Sequence, residues 1–145
     1  MKTYSQKPSE ITRKWHILDA SEVSMGRLST VAASLLIGKG KPTISPHMDG
    51  GDYVVIINAD DMVVTGGKEE KKIYHNHSGF PSGLRSRALG DIDNKEALQK
   101  AIRGMLPVNK LREGRLARLK IYSTAEHTHA PQKPKIYKFI QKGAK

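Results

Sequence analysis

At 145 residues with 37% hydrophobic side chains, the chain has enough material for one domain with a core, not two, and room for arms and loops. Its 25 Lys and Arg against 14 Asp and Glu give a net charge of +11, and the absence of cysteine excludes a disulfide framework, a thiolate metal site and a cysteine nucleophile. No apolar run approaches the roughly 18 residues of a membrane span, and the opening Met1 to Pro8 lacks the apolar centre of a signal peptide, so a cytosolic protein without a membrane partner is expected.

Residues 1 to 14 are polar, contain Pro8 and predict an extended arm. Trp15 to Asp19 is a short apolar run and predicts a buried strand. Ser21 to Ser24 turn the chain into a helix near Met25 to Ile37, where Leu28, Val31, Ala32, Leu35 and Leu36 fall at helical spacing on one stripe. Gly38 ends that helix, and Gly38 to Pro42 form a basic loop. Tyr53 to Asn58 is continuous and β-branched, the pattern of a central strand buried on both faces. A strand, a helix and a strand with so long a crossover predict a right-handed parallel unit.

Met62 to Thr65 is a short extended piece that turns at Gly66-Gly67, and Lys71 to His77 predicts an edge strand. The stretch 77 to 90 has four glycines or prolines at Gly79, Pro81, Gly83 and Gly90, and predicts a long loop carrying Arg85 and Arg87. Asp93 caps a second helix with Glu96 in capping-box position, and Leu98, Ala101, Ile102 and Met105 form its inner stripe. Pro107 stops it. A basic helix restarts at Asn109 as N-cap, and Arg112, Arg115 and Arg118 recur every three residues, which lays three guanidinium groups along one face. Leu111, Leu116 and Leu119 pack it down. No carboxylate cluster is evident to neutralise that face, so the expected partner is external and anionic; a solvated basic face is the alternative. Leu119 to Tyr122 is read as the strand that completes the sheet. Ser123 to Lys145, with Pro131 and Pro134, reads as a tail that is mobile in the free protein and orders on a partner surface.

The charge is unevenly placed: ten basic and two acidic residues from Lys110 onward give +8, against +3 for residues 1 to 109. A near-balanced body with a basic end is the footprint of a polyanion binder. Gly38-Lys39-Gly40-Lys41 has the composition of a phosphate loop but closes a helix instead of opening one, so nucleotide binding fails; a basic turn on RNA phosphates and a plain helix C-cap both remain. His75-x-His77 and His127-x-His129 suggest a metal, yet neither pair has a matching carboxylate or cysteine. Stacking on bases or bonding to ribose and phosphate suits them better, and surface histidines with no role compete. Asp49, Asp52, Asp60 and Asp61, near His47, are read as turn-makers, since no nucleophile with a base and an orienter accompanies them. A nucleotide-using enzyme on a doubly wound sheet would need glycines in the turn from Asp19 to Arg27, which has only Gly26. A free-standing nucleic-acid regulator survives on charge alone.

A series of short matches runs in order along the chain. Trp15 with Asp19-Ala20 and Gly26 to Thr30 come first, then Gly38-Lys39-x-Lys41. Pro46-His47-x-Asp49-x-Gly51-Asp52-Tyr53 and Asn58-Ala59 follow, then Val64-Thr65-Gly66, Lys72-x-Tyr74 and His77 to Pro81. The most specific are Gly104 to Pro107, Leu119 to Tyr122 and Glu126-His127-x-His129-x-x-Gln132-x-Pro134. Taken together the chain resembles the large-subunit ribosomal protein L-thirteen family in its bacterial form. It departs from that pattern at Arg112-Glu113, at Ser82 where the family usually has glycine, at Glu69 and Glu70, and across Arg85 to Asn94.

The resemblance implies an α/β fold: a single three-layer α/β/α domain, residues 15–122, around a mainly parallel sheet of about four strands. A 1–14 arm and a basic 123–145 extension flank it. It implies a structural and assembly role in the large subunit and no catalysis, with large-subunit rRNA and neighbouring ribosomal proteins as partners. No cofactor, metal or small-molecule substrate is expected. The candidate RNA contacts are Arg27, Lys39, Lys41, His47 and Lys68 in the first half, and His75, His77, Arg85 and Arg87 in the middle. Lys110, Arg112, Arg115, Arg118 and Lys120 follow around the basic helix, with His127, His129 and Lys133 in the tail.

Overall fold

The β-branched run that starts at Tyr53 becomes the centre of the sheet. In the computed structural model, which describes residues 6–139, this strand is Tyr53–Ile57, with Val54, Val55 and Ile56 wholly buried. In chain order the elements are β1 (Trp15–Asp19), α1 (Met25–Ile37), β2 (Tyr53–Ile57), the single turn α2 (Lys68–Lys71), β3 (Ile73–His77) and β4 (Leu84–Ala88). There follow α3 (Asn94–Met105), α4 (Leu111–Ala117), β5 (Leu119–Ile121) and β6 (Lys135–Ile136). β1 runs parallel to β2 with Trp15 opposite Tyr53 and Asp19 opposite Ile57; β5 runs parallel on its other side, Val54 opposite Leu119. The sheet order is β5-β2-β1-β6, all parallel, flanked by helices as expected of an α/β domain.

Side-chain alternation gives this sheet two working faces. Leu18, Val54, Ile56 and Leu119 join Leu28, Ala32 and Leu36 of α1 and Leu98 and Ile102 of α3 in one core. Each fully buried leucine or isoleucine there contributes about 2 kcal/mol of transfer free energy. On the opposite face Trp15 stacks on Tyr53 at 4.3 Å, His129 packs on Trp15 at 4.9 Å, and Tyr122 meets both His129 and His127. The chain beyond β5 is therefore laid along that face by its rings. Gly38 ends α1 at φ +84°, where its N–H donates to the carbonyls of Ser34 and Leu35. A residue with a Cβ would be strained there, so the glycine is part of the stop signal.

Several expectations change. The stretch 77 to 90 is not one long loop: Leu84–Ala88 pairs antiparallel with Ile73–His77 in a separate two-stranded sheet, His77 opposite Leu84. Ser82 sits in its turn at φ +61°, a conformation that favours glycine. Asp93 stands at the N-terminus of α3 but its side chain makes no capping bond, and Glu96 turns instead to Lys100 at 2.8 Å. Asn109 does support the restart, its Oδ1 accepting the Leu111 N–H at 3.1 Å. The arm is tied down where it is described: Gln6 is buried and Arg13 donates to the carbonyls of Gly51 and Asp49.

The largest correction concerns the tail. β5 does not complete the sheet; Lys135 and Ile136 add a fourth strand beside His16 and Ile17, and Tyr137 and Phe139 pack against the core. The tail expected to be mobile packs, through residue 139, on the surface of the domain, while residues 140–145 lie outside the described residues. Truncation after Thr124 is therefore expected to lower stability by about 2 kcal/mol, because it uncovers Trp15 and the β1 edge and removes two packed aromatic rings. A truncated chain with an unchanged denaturation midpoint would show that the tail only rests on the sheet.

Candidate nucleic-acid interface

The cations of this chain fall into two sets, and the loop between α1 and β2 decides which. Asp49 and Asp52, expected to be turn-makers, are acceptors for a converging group of cations. Arg118 is only 7% exposed and grips Asp49 with both terminal nitrogens, Nη2 to Oδ1 at 2.7 Å and Nη1 to Oδ2 at 2.5 Å. Its remaining N–H groups reach the carbonyls of Leu36, Gly114 and Asp52. Arg115, 3% exposed, holds Nε 3.5 Å from Asp49 Oδ1, near enough for charge attraction but not aligned as a hydrogen bond. Asp52 accepts from Lys41 Nζ, from the Lys14 N–H at 3.0 Å, and pairs with His16 Nε2 at 3.0 Å. Lys41 also donates to the carbonyls of Thr12 and Gly50.

This overturns the expectation of a basic helical face without a carboxylate. Arg115 and Arg118 point inward; Arg118 is saturated by its own fold, Arg115 is buried beside Asp49, and Lys41 is largely committed too. Arg112 is half-buried and donates to the Leu106 carbonyl at 3.0 Å, with its Nε shut in and unpartnered. The i, i+3 spacing of arginines reads identically for a helix facing solvent and for one facing a buried acid.

Burial pushes the carboxyls of Asp49 and Asp52 up, but their partners outweigh it and hold both below the usual aspartate value. For Asp49 these are the Arg118 hydrogen bonds and the charges of Arg118, Arg13 and Arg115; for Asp52 they are Lys41, the Lys14 N–H and His16. With folded values below unfolded ones, the unfolded chain takes up protons first as pH falls. The stability these groups contribute is full above the ordinary carboxylate range, about pH 4, and drains away as pH drops through it. Thermal melts between pH 6 and about 2 are expected to show that loss, and Asp49→Asn to flatten it. An Asp49→Asn protein with an undiminished pH response would assign the effect elsewhere.

The second set faces out. Arg27, Lys39, His47, Lys68, His75, His77, Arg85, Arg87, Lys110, Lys120 and Lys133 are exposed. Of the readings left open for the Gly38 turn, the helix C-cap is present, while Lys39 projects and Lys41 turns inward. His75 Nδ1 bonds Ser86 Oγ, and His77 Nδ1 accepts the Gly79 N–H, within one hairpin. His127 and His129 are half-buried, His127 against Tyr122 and His129 against Tyr122 and Trp15. Among the described residues no group of three His, Cys, Asp or Glu is placed to hold a metal ion. None of their helices is long and apolar enough to cross a membrane.

The structure gathers one part of the outer set. A groove of about 500 Å³ lies between the β3–β4 hairpin and α3, lined by Tyr74, His75, Arg85, Arg87, Lys100 and Arg103 among others. Lys100 and Arg103 were missed in the sequence, where they look like the solvated side of an amphipathic helix. Only the strand at 84–88, itself illegible, reveals that they have basic neighbours.

Known proteins bear on this geometry directly. A family model described as "Ribosomal protein L13" matches residues 13–128, from before β1 to beyond β5. The "Large ribosomal subunit protein uL13" of Kocuria rhizophila is 49% identical over 144 residues, covering 97% of this chain and 98% of that one. Its namesakes from Micrococcus luteus and Rhodococcus opacus are each 47% identical over the same shares. Matched almost from end to end by its relatives, and by the family model across β1, β2 and β5, the chain belongs to the ribosomal protein L13 family.

Proposed function

We propose that this protein is a structural constituent of the large ribosomal subunit, acting in the cytoplasm, where it binds large-subunit rRNA and supports assembly. The observation that carries this is the sorting of its cations: those near Asp49 and Asp52 are neutralised inside, whereas Arg27, Lys39, Lys68, Arg85, Arg87, Lys110, Lys120 and Lys133 face solvent on a chain of net charge +11. Such side chains neutralise phosphates and release counterions, which makes binding strong, salt-dependent and little concerned with base identity. Arg118 and Lys41 are left out of the contact set because their hydrogen bonds are spent within the fold, and Arg115 because it is buried beside Asp49. Val108, 87% exposed, suits an apolar contact with a neighbouring ribosomal protein.

Co-sedimentation with large subunits through a high-salt wash tests the assembly role, and release into the supernatant would favour a free-standing regulator. With about six phosphate contacts, affinity for protein-free large-subunit rRNA is expected to fall at least a hundredfold between 50 and 200 mM salt. Affinity unmoved by salt would contradict a phosphate-dominated mechanism.

A further inference from the structure

We propose that the groove between the β3–β4 hairpin and α3 seats the phosphodiester backbone of a single RNA strand, an assignment that rests on the RNA-binding function above. The hairpin is not part of the main sheet; five residue pairs hold it together. Pairing places Tyr74 opposite Arg87 and Asn76 opposite Arg85, so these four share one face, and all four line the groove. From the other wall α3 contributes Glu96, Lys100 and Arg103, at i, i+4 and i+7 on one helical face.

Four cations therefore border the groove against one carboxylate, and Glu96 is already engaged by Lys100 at 2.8 Å. Arg85 and Arg87 make no ion pair among the described residues, and Arg103 approaches only Glu113, at 3.9 Å with both side chains exposed. Two residues apart on a strand, Arg85 and Arg87 leave the backbone on one face about 7 Å from one another. A lone anion needs one such group; a row of cations on each wall suits a polymer with a repeating charge, and guanidinium forks match phosphate oxygens.

The floor supplies a further donor. Lys72 and Lys100 stand over the Tyr74 ring, Nζ to centroid 5.0 and 4.8 Å, and the Tyr74 hydroxyl is shut from solvent with no hydrogen-bond partner. An unpaired buried hydroxyl is costly. Beyond Asn76 and Arg85 the hairpin runs to a tip where Phe80 is 74% exposed and where His77 and Leu84 pair. Exposed rings at the end of a cationic channel suit unstacked bases, which an acidic peptide lacks.

The test uses the full chain and protein-free large-subunit rRNA, with affinity measured across 50–200 mM salt. Arg85→Gln with Arg87→Gln, and separately Lys100→Gln with Arg103→Gln, are each expected to weaken binding about tenfold or more and to flatten the log–log salt slope by about 1.4, two single-strand phosphate contacts. Polyglutamate at matched charge should displace the rRNA poorly. In the wild-type complex, Lys100 should be protected from acetylation, a readout independent of whether any variant folds. Wild-type binding with normal salt dependence, but unchanged slopes in both double variants and no protection of Lys100, would overturn the groove and leave the RNA-binding function standing. Efficient displacement by polyglutamate, lost in the double variants, would reassign the groove to an acidic protein segment. A wild-type chain that fails to bind rRNA would remove the function beneath the proposal and the proposal with it.

Discussion

Replacing Arg118 by alanine is expected to lower the free energy of unfolding by about 3–5 kcal/mol, because it strands the Asp49 carboxylate in the protein without its main partner. The same change orphans the carbonyls of Leu36, Gly114 and Asp52, which come from three different parts of the chain. Arg118→Lys should recover little, since an ammonium cannot span both Asp49 oxygens as the planar fork does. Chemical denaturation of the free protein measures this without any RNA present. A loss below about 1 kcal/mol would return Arg118 to the role its spacing first suggested, a surface cation awaiting a partner.

Gly51→Ala should be at least as damaging, with about 4 kcal/mol or more lost and little soluble protein recovered. A Cβ at Gly51 would fall 1.7 Å from the Leu36 carbonyl oxygen and 3.1 Å from Arg118 Nη2. Both neighbours are fixed: Leu36 is the last wholly buried leucine of α1, and its carbonyl accepts from Arg118. The cost is purely one of space, because Gly51 does not have a left-handed backbone. Gly66, at φ +78° with open space around its would-be Cβ, supplies the contrast. Alanine there should cost only the conformational strain of about 1–2 kcal/mol. Equal losses at the two sites would mean that the chain around Gly51 gives way more readily than its packing indicates.

What could be read in the sequence was whatever buries a periodic apolar face. The stripe of Leu28, Ala32 and Leu36 marked α1 to its final bounds, and Val54 to Ile56 marked the buried central strand. Leu84–Ala88 left no such mark, since its sequence Leu-Arg-Ser-Arg-Ala is polar, nearly all exposed, and extended only because β3 pairs with it. β6 is two exposed residues held by backbone pairing, a geometry that side-chain patterning does not encode. The direction of Arg115 and Arg118 was illegible for another reason: their acceptor lies 69 residues away from Arg118 in the chain. The one available hint was Asp49 and Asp52 around a Gly50-Gly51 pair, where small residues permit close approach and two acids await cations. Hence the family was legible from short ordered matches, while the contact set it implied needed three-dimensional sorting.

The parallel pairing of β6 with β1 also sets a timetable for synthesis. Position 16 finds its sheet neighbour at position 135, so a chain growing from its N-terminus must carry β1 with one bare edge until residue 135 has been made. A bare strand edge invites pairing with other chains, and contacts this distant form late because a long loop must close first. A chain stopped before residue 135 would be a species with its core assembled and its seam open, prone to join its own kind. β6 is thus the clasp that turns a sticky nascent domain into a closed one.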